Sequence, residues 1–178
     1  SNVRPSVPAA WLAAAAGAPT GMAVLDRDGR VVLANEAMGG VLGRTPASLA
    51  GIDLASLMLG NDREPWVTDL RKAVVGRRTL HDRERRFFRP DGLVLWCSLS
   101  LAPMELDEDR RPDAPAVVLT AFDITGRKCL EEAFERGQQE LRDLIETRTQ
   151  ELQAANLRLS LADRMAAVGT LGAGLGHD

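Results

Sequence analysis

Two adjacent residues at the end of this 178-residue sequence are of types suited to nucleophilic chemistry. His177 is followed directly by Asp178. A neutral imidazole nitrogen is a nucleophile near neutral pH, and a neighbouring carboxylate can hold the ring and accept its other proton. We therefore take His177 and Asp178 as a candidate reactive pair.

The other candidate reactive side chains favour structural interpretations. His81, the only other histidine, lies among charged residues on an expected edge strand, which indicates a solvated position rather than a ligand. The two cysteines, Cys97 and Cys129, are too few for a disulfide framework or a metal site. We expect both to be reduced thiols and predict no metal.

Composition limits the class of protein. The chain is 45% hydrophobic and 26% charged with a net charge of −3, as expected for an ordinary folded domain. Basic residues are dispersed, so we expect no nucleic-acid partner. The longest apolar stretch, residues 11–16, is far shorter than the ~20 residues that span a bilayer. We therefore expect a cytoplasmic location, although the parent protein could have an upstream membrane segment. Ser1 and Asn2 look like a remnant of tag cleavage.

Hydrophobic periodicity and turn residues predict an α+β fold before residue 125. A short helix is expected at residues 10–16, and Asn35 is placed to cap a second helix over 36–42. A longer helix is expected over 64–75, capped by Asn61 and Asp62. The expected strands are 22–25, 31–34, 79–89, 93–101 and 117–124, with a polar loop at 107–115. This order predicts a five-stranded antiparallel sheet with helices on one face.

This order of elements resembles the PAS fold, and particular residues carry the resemblance. They are Asp28-Gly29, Asn35, the run Arg89-x-Asp91-Gly92 followed by Trp96, and the closing Asp123-Ile124-Thr125-x-Arg127. The resemblance implies a sensor domain over residues 18–125, after an N-terminal helix and tag remnant at 1–17. It also implies that Asp123, Thr125, Arg127 and Trp96 relay a signal. In this interpretation Asp123 pairs with Arg127 and fixes the angle of the following helix.

Two further predictions concern the surfaces of the sheet. Any pocket would be lined by residues that we interpret as plain core, namely Met22, Val24, Leu33, Trp66, Leu70, Leu95 and Leu99. No cofactor is predicted, since the long helix has no heme-ligating histidine and residues 35–60 have no cysteine for a photoactive flavin. The ligand of the sensor domain is unknown. Trp96 should lie on the other face, covered by residues 10–16 or by a second subunit.

After Thr125 the sequence predicts one long helix. A row of mostly apolar residues runs from Leu130 through Leu141 to Ala166 at alternating spacings of four and three, which is typical of a coiled coil. Two successive steps of four at Leu141 form a stutter, which unwinds a supercoil locally. We interpret residues 126–163 as a coiled-coil linker in a parallel homodimer. The alternative is a single amphipathic helix folded back on the sensor domain.

Residues 164–178 closely resemble the phosphoacceptor box of dimerising histidine kinases. By this resemblance Val168, Leu171 and Leu175 face the partner helix, and His177 attacks the γ-phosphate of ATP while Asp178 acts as orienting acid or base. Gly172 and Gly176 depart from the alanines usual at these positions.

The resemblance implies that the chain is the sensory and linker part of a two-component sensor histidine kinase. The implied partners are an ATP-binding domain, which would use ATP and Mg²⁺, and a response-regulator receiver domain. Without that ATP-binding domain we expect the chain to be inactive alone. Two alternatives remain, namely a PAS-type interaction module with a dimerisation stalk, and a small-ligand sensor without a kinase role.

Overall fold

The computed structural model describes the backbone of residues 9–104 and 116–174, and the side chains of residues 13–104 and 116–166. The expected loop at 107–115, as well as His177 and Asp178, lie outside the described residues. The described helices are α1 (Ala9–Ala16), α2 (Glu36–Leu42), α3 (Pro46–Leu49), a 3₁₀ turn (Leu54–Leu57), α4 (Gly60–Val74) and α5 (Thr125–Gly174). The strands are β1 (Gly21–Leu25), β2 (Val31–Ala34), β3 (Leu80–Phe88), β4 (Val94–Pro103) and β5 (Val117–Asp123).

The five strands form one antiparallel sheet in the order β2-β1-β5-β4-β3. The first and last strands of the sequence are therefore neighbours at the centre, and β3 lies at an edge. This topology confirms the predicted α+β fold with an antiparallel five-stranded sheet. It also brings the end of β5, where α5 begins, directly beside β4.

The hairpin between β1 and β2 forms at the predicted turn. Asp26 Oδ1 accepts hydrogen bonds from the amides of Asp28 and Arg30, at 2.9 and 2.8 Å. Gly29 adopts a φ of 84°, and a Cβ at this position would lie 2.9 Å from Leu70 Cδ2. Glycine is therefore required both for the left-handed backbone and for the close approach of α4.

The core fills the space between one sheet face and the helices. Trp66, Leu70, Leu95 and Leu99 are buried there, as predicted. Met22, Val24 and Leu33 were predicted on the same face but do not join this core, although Val24 is fully buried, as expected for a core residue. Ala23 and Leu25 are the residues of β1 that join this core, so strand alternation turns Met22 and Val24 to the opposite face, together with Leu33, the β2 partner of Val24.

Strand β4 shows the predicted alternation, with one correction at its start. Leu95, Cys97, Leu99 and Leu101 are all buried on the core face. Leu93 was predicted to begin this row, but it precedes the strand and is 61% exposed. Its amide donates to Asp91 Oδ1, so the residue belongs to the turn.

Helix α4 begins four residues before the predicted start. Asn61 and Asp62 were expected to cap it, but its N-cap is Leu59, which provides no side-chain hydrogen bond. The prediction placed the start at about Glu64 because Asn and Asp are favoured N-cap residues. Tertiary contacts override that preference, since the Asp62 carboxylate is engaged by Arg86 of β3.

Edge strand β3 contains a bulge that reverses its alternation. The pairing register shifts between Leu80 and Arg83, and Asp82 within the shift has a φ of 53°. As a result Leu80 and Phe87 both face the core although their spacing is odd. Residues 84, 86 and 88 lie on the opposite face.

Helix α5 runs without interruption for 50 residues, from Thr125 to Gly174, as the sequence predicted. The chain divides into two compact units after Lys128. The first turn of α5 thus belongs to the unit that contains the sheet. The rest of the helix belongs to the second unit.

Candidate functional site

The start of α5 is fastened to β4 by backbone and hydroxyl hydrogen bonds. Asp123 Oδ1 accepts from the Thr125 amide at 2.8 Å, which closes a short side-chain turn at the end of β5. Thr125 Oγ1 accepts from the Trp96 amide at 2.9 Å, and the Ile124 amide donates to the Trp96 carbonyl at 2.8 Å. Three of the predicted relay residues, Asp123, Thr125 and Trp96, are therefore assembled at one junction.

The Trp96 ring lies on the face of the sheet opposite the core, as predicted, and two cations lie over it. The guanidinium carbon of Arg86 is 5.2 Å from the ring centroid, and Lys128 Nζ is 5.4 Å from it. Both distances are within the range of cation–π attraction. The described residues over the ring are thus a β3 side chain and the first turn of α5, whereas the prediction assigned this position to residues 10–16 or a second subunit.

Glu84 of β3 binds two basic residues of α5. Its carboxylate oxygens lie 2.7 Å from Arg127 Nη2 and 2.7 Å from Lys128 Nζ. Hydrogen bonds from Lys128 first, and then from Arg127, lower the pKa of Glu84 from its ordinary value of 4.5. The expected Asp123–Arg127 pair is replaced by these contacts, because Asp123 caps the helix while Arg127 reaches across to β3.

Asp62 connects the first turn of α4 to the same region. Its carboxylate accepts from Arg86 Nε at 2.9 Å and Arg86 Nη2 at 3.1 Å, and it also accepts from the Arg86 amide at 2.8 Å. The side-chain hydrogen bonds from Arg86 lower the pKa of Asp62 below its usual value, and Asp62 in turn raises that of Arg86. Both groups are therefore charged at neutral pH.

A second ion pair between α4 and β3 lies on the core face of the sheet. The nearly buried carboxylate of Asp69 accepts from Arg85 Nη2 at 2.5 Å and lies 3.8 Å from Arg83 Nε. Arg83 and Arg85 alternate with Glu84 and Arg86, so the two sets point to opposite faces. His81 on the same strand is exposed, in agreement with the prediction.

Sequence reasoning missed Asp62, Glu84, Arg86 and Lys128 as members of this junction. One signal could have indicated Arg86. The turn at residues 89–92 sets the register of the β3–β4 hairpin, and that register places residue 86 opposite Trp96. The contacts of Asp62 and Lys128 depend on how α4 and α5 approach β3. The periodicity of a strand does not predict the position of a helix beside it.

The predicted reactive pair, His177 and Asp178, lies beyond the described residues. The side chains of Val168, Leu171 and Leu175 also lie outside the description. Within the described part of α5 the predicted row is strongly solvent-accessible in the single chain, with each large apolar member at least 61% exposed: Leu130, Phe134, Leu141, Ile145, Leu152 and Leu159.

The two cysteines differ in exposure to solvent. Cys97 is fully buried on the core face of β4, and burial raises the pKa of its thiol to about 12. Cys129 on α5 is exposed. In the part of the chain with described side chains, no cluster of three or more potential metal ligands occurs. Among the described helices, none is both long and apolar enough to cross a bilayer.

Comparisons with known proteins agree with this architecture. The family described as "PAS fold" matches residues 16–129. The PAS domain of a protein from Colwellia psychrerythraea is 18% identical, with a TM-score of 0.56, covering 66% of this chain and 96% of its own. A domain of a sensory box sensor histidine kinase/response regulator from Geobacter sulfurreducens is 24% identical, with a TM-score of 0.51, covering 64% of this chain and 91% of its own.

The similarity to one curated relative extends beyond residues 16–129. The chain is similar to the sensor histidine kinase TmoS of Ectopseudomonas mendocina, with 25% identity over 163 residues. The similarity covers 91% of this chain but only 16% of that protein, so the chain spans a small part of its relative's length. Because the family match takes in well over half of the chain, including the whole sheet and the junction with α5, the chain belongs to the PAS fold family.

Proposed function

We propose that this chain is the sensory and signal-transducing segment of a cytoplasmic two-component sensor histidine kinase. In this proposal the PAS domain relays a signal through a dimeric coiled coil to the phosphoacceptor His177. The observation that carries the proposal is the unbroken helix α5, which starts at the sheet junction and extends to Gly174, three residues before His177.

The similarity to TmoS supports extending the proposal past the PAS domain. Of the 178 residues, 163 are aligned, so only 15 lie outside the alignment. The alignment must therefore take in most of the residues that follow position 129. A PAS domain joined to an unrelated stalk would give a match confined to the sensor domain.

A second copy of the chain is the proposed partner of α5. The exposed row from Leu130 to Leu159 continues for more than four heptads, which is sufficient for a coiled coil. In a parallel dimer the same residues of the two helices meet and are removed from water. Such a dimer would carry both PAS domains at one end and both His177 side chains at the other.

The proposed chemistry at His177 is phosphoryl transfer. The neutral imidazole nitrogen bonds to the γ-phosphorus of ATP as the bond to ADP breaks, and Asp178 accepts the proton from the other ring nitrogen. The separate ATP-binding domain supplies the Mg²⁺-bound nucleotide. A response-regulator receiver domain then takes the phosphoryl group from His177.

The two histidines of the chain allow a matched test in the complete protein encoded by the gene. His177→Gln should abolish the acid-labile phosphate that forms with labelled ATP, while His81→Gln should retain wild-type labelling because His81 is an exposed strand residue. Peptide mapping under alkaline conditions would locate the label. Persistent labelling in His177→Gln would refute the assigned acceptor.

A further inference from the structure

A continuous row of side-chain contacts connects the first turn of α4 to the first turn of α5. We name it the Trp96 bridge, and it consists of Asp62, Arg86, Trp96 and Lys128. Asp62 accepts from Nε and Nη2 of Arg86, which form one edge of the guanidinium, and Arg86 and Lys128 both lie over the indole ring. The bridge therefore crosses from a helix on one side of the edge strand to the helix that leaves the sheet.

The α4 end of the bridge is held by backbone as well as side-chain bonds. The Leu59 amide donates to the Arg86 carbonyl at 3.1 Å, and Asp62 accepts from the Arg86 amide at 2.8 Å. Both backbone groups of Arg86 are available because β3 lies at the sheet edge. A displacement of the start of α4 must therefore move or release Arg86.

The charges at the bridge explain how a change at α4 would reach α5. Two cations lie within about 5 Å of the same ring, and each is balanced by a carboxylate, Arg86 by Asp62 and Lys128 by Glu84. Without Asp62 the Arg86 charge is uncompensated. Arg86 then repels Lys128, and this repulsion weakens the contacts between Lys128 and the sheet.

We propose that the Trp96 bridge couples the position of the first turn of α4 to the stability of the first turn of α5. The interpretation of this coupling as signalling rests on the proposed kinase function. The coupling itself is a property of the PAS domain and holds whatever lies beyond α5.

Hydrogen exchange of the intact 178-residue chain tests the coupling. The reporting amides are Ile124 and Lys128, which donate to the carbonyls of Trp96 and Ile124. Asp62→Asn should accelerate their exchange roughly two- to fivefold relative to amides of β4 and β5, the range expected for a weakened cation–π contact. Dividing these exchange rates by those of the β4 and β5 amides removes the effect of any global loss of stability.

Asp69→Asn is the matched control. It breaks an ion pair between the same two elements, but on the core face of the sheet, away from Trp96. Its exchange at residues 124–128 should follow that of the sheet. The proposal is overturned if Asp62→Asn leaves the relative rates unchanged, or if Asp69→Asn accelerates them equally.

A double-mutant cycle gives an independent measurement. In the bridge Asp62 is connected to Lys128 through Arg86 and Trp96, so Asp62→Asn and Lys128→Met should be non-additive by roughly two- to fivefold in the unfolding equilibrium constant. Asp69→Asn with Lys128→Met should be additive. Additivity in the first pair contradicts the bridge but leaves the His177 assignment intact, whereas a failed His177 experiment leaves the bridge intact.

Discussion

Individual carboxylates at the junction are defined by the cations that they bind. Glu84 lies on strand β3 and binds two basic residues of α5. Asp62 lies on helix α4 and binds Arg86 of β3. In both cases hydrogen bonds from the cation outweigh desolvation and lower the pKa. Each carboxylate therefore stabilises the folded chain only when ionised.

This state dependence predicts how the contribution of Glu84 varies with pH. Its folded pKa is lowered, so the unfolded chain binds the proton more tightly, and the stabilisation is complete above the ordinary value of 4.5 and lost as pH falls through the folded value. Glu84→Gln should therefore lower the free energy of unfolding at pH 7 by at most about 1 kcal/mol, as for a partly exposed pair.

Urea unfolding of both proteins between pH 7 and pH 3 measures this difference. The wild-type and variant curves should converge at the acidic end, where Glu84 is protonated. A difference that stayed constant over this range would show that Glu84 acts through packing rather than charge.

At the scale of elements, Asn35 joins three segments that are separate in sequence. Its Oδ1 accepts from the amides of Met22 and Met38, and its Nδ2 donates to the carbonyls of Ala15 and Thr20. The side chain thus caps α2 and also ties α2 to β1 and to the end of α1. Because Asn35 is buried, its removal would leave several polar backbone groups without a partner in the protein.

Replacement of Asn35 should therefore cost more than replacement of an ordinary helix cap. Asn35→Ala is expected to destabilise the chain by about 2–4 kcal/mol, from the lost cap and the unsatisfied buried groups. Thr45→Ala removes the exposed cap of α3, which accepts from Ser48, and should cost about 1 kcal/mol. Equal losses in chemical denaturation would contradict the tying role of Asn35.

At the scale of the whole molecule, the proposed signalling depends on the register of α5. The predicted stutter lies at Leu141, between the PAS junction and the proposed phosphoacceptor His177. One inserted residue rotates the downstream helix by about 100° around its axis. Seven inserted residues make almost two full turns, so the downstream helix returns to within ~20° of its original orientation. Rotation would change which face of His177 meets the ATP-binding domain.

Insertions between Leu141 and Leu152 in the complete protein test this dependence. A seven-residue insertion should retain signal-dependent autophosphorylation. A one-residue insertion should change the rate of autophosphorylation roughly tenfold, because it moves His177 out of the near-attack geometry with ATP. Autophosphorylation with labelled ATP provides the measurement. Equal activity of the two variants would argue against register-dependent signalling.

The secondary structure was largely determined by local sequence. The Asn35 cap, the glycine-containing turn at 26–29 and the leucine alternation in β4 each predicted an element that the structure contains. The absence of proline after residue 125 likewise indicated the unbroken α5. These patterns succeed because capping, turn geometry and strand alternation depend on residues close together in the chain.

Only the tertiary structure determined which residues meet at the junction. The early start of α4 and the bulge in β3 both follow from packing between distant segments. The same packing pairs Arg127 with Glu84 rather than with Asp123. It also places Arg86 and Lys128 over the Trp96 ring. A charged side chain is satisfied by whichever opposite charge the folded chain brings near it, and sequence spacing alone does not determine that partner.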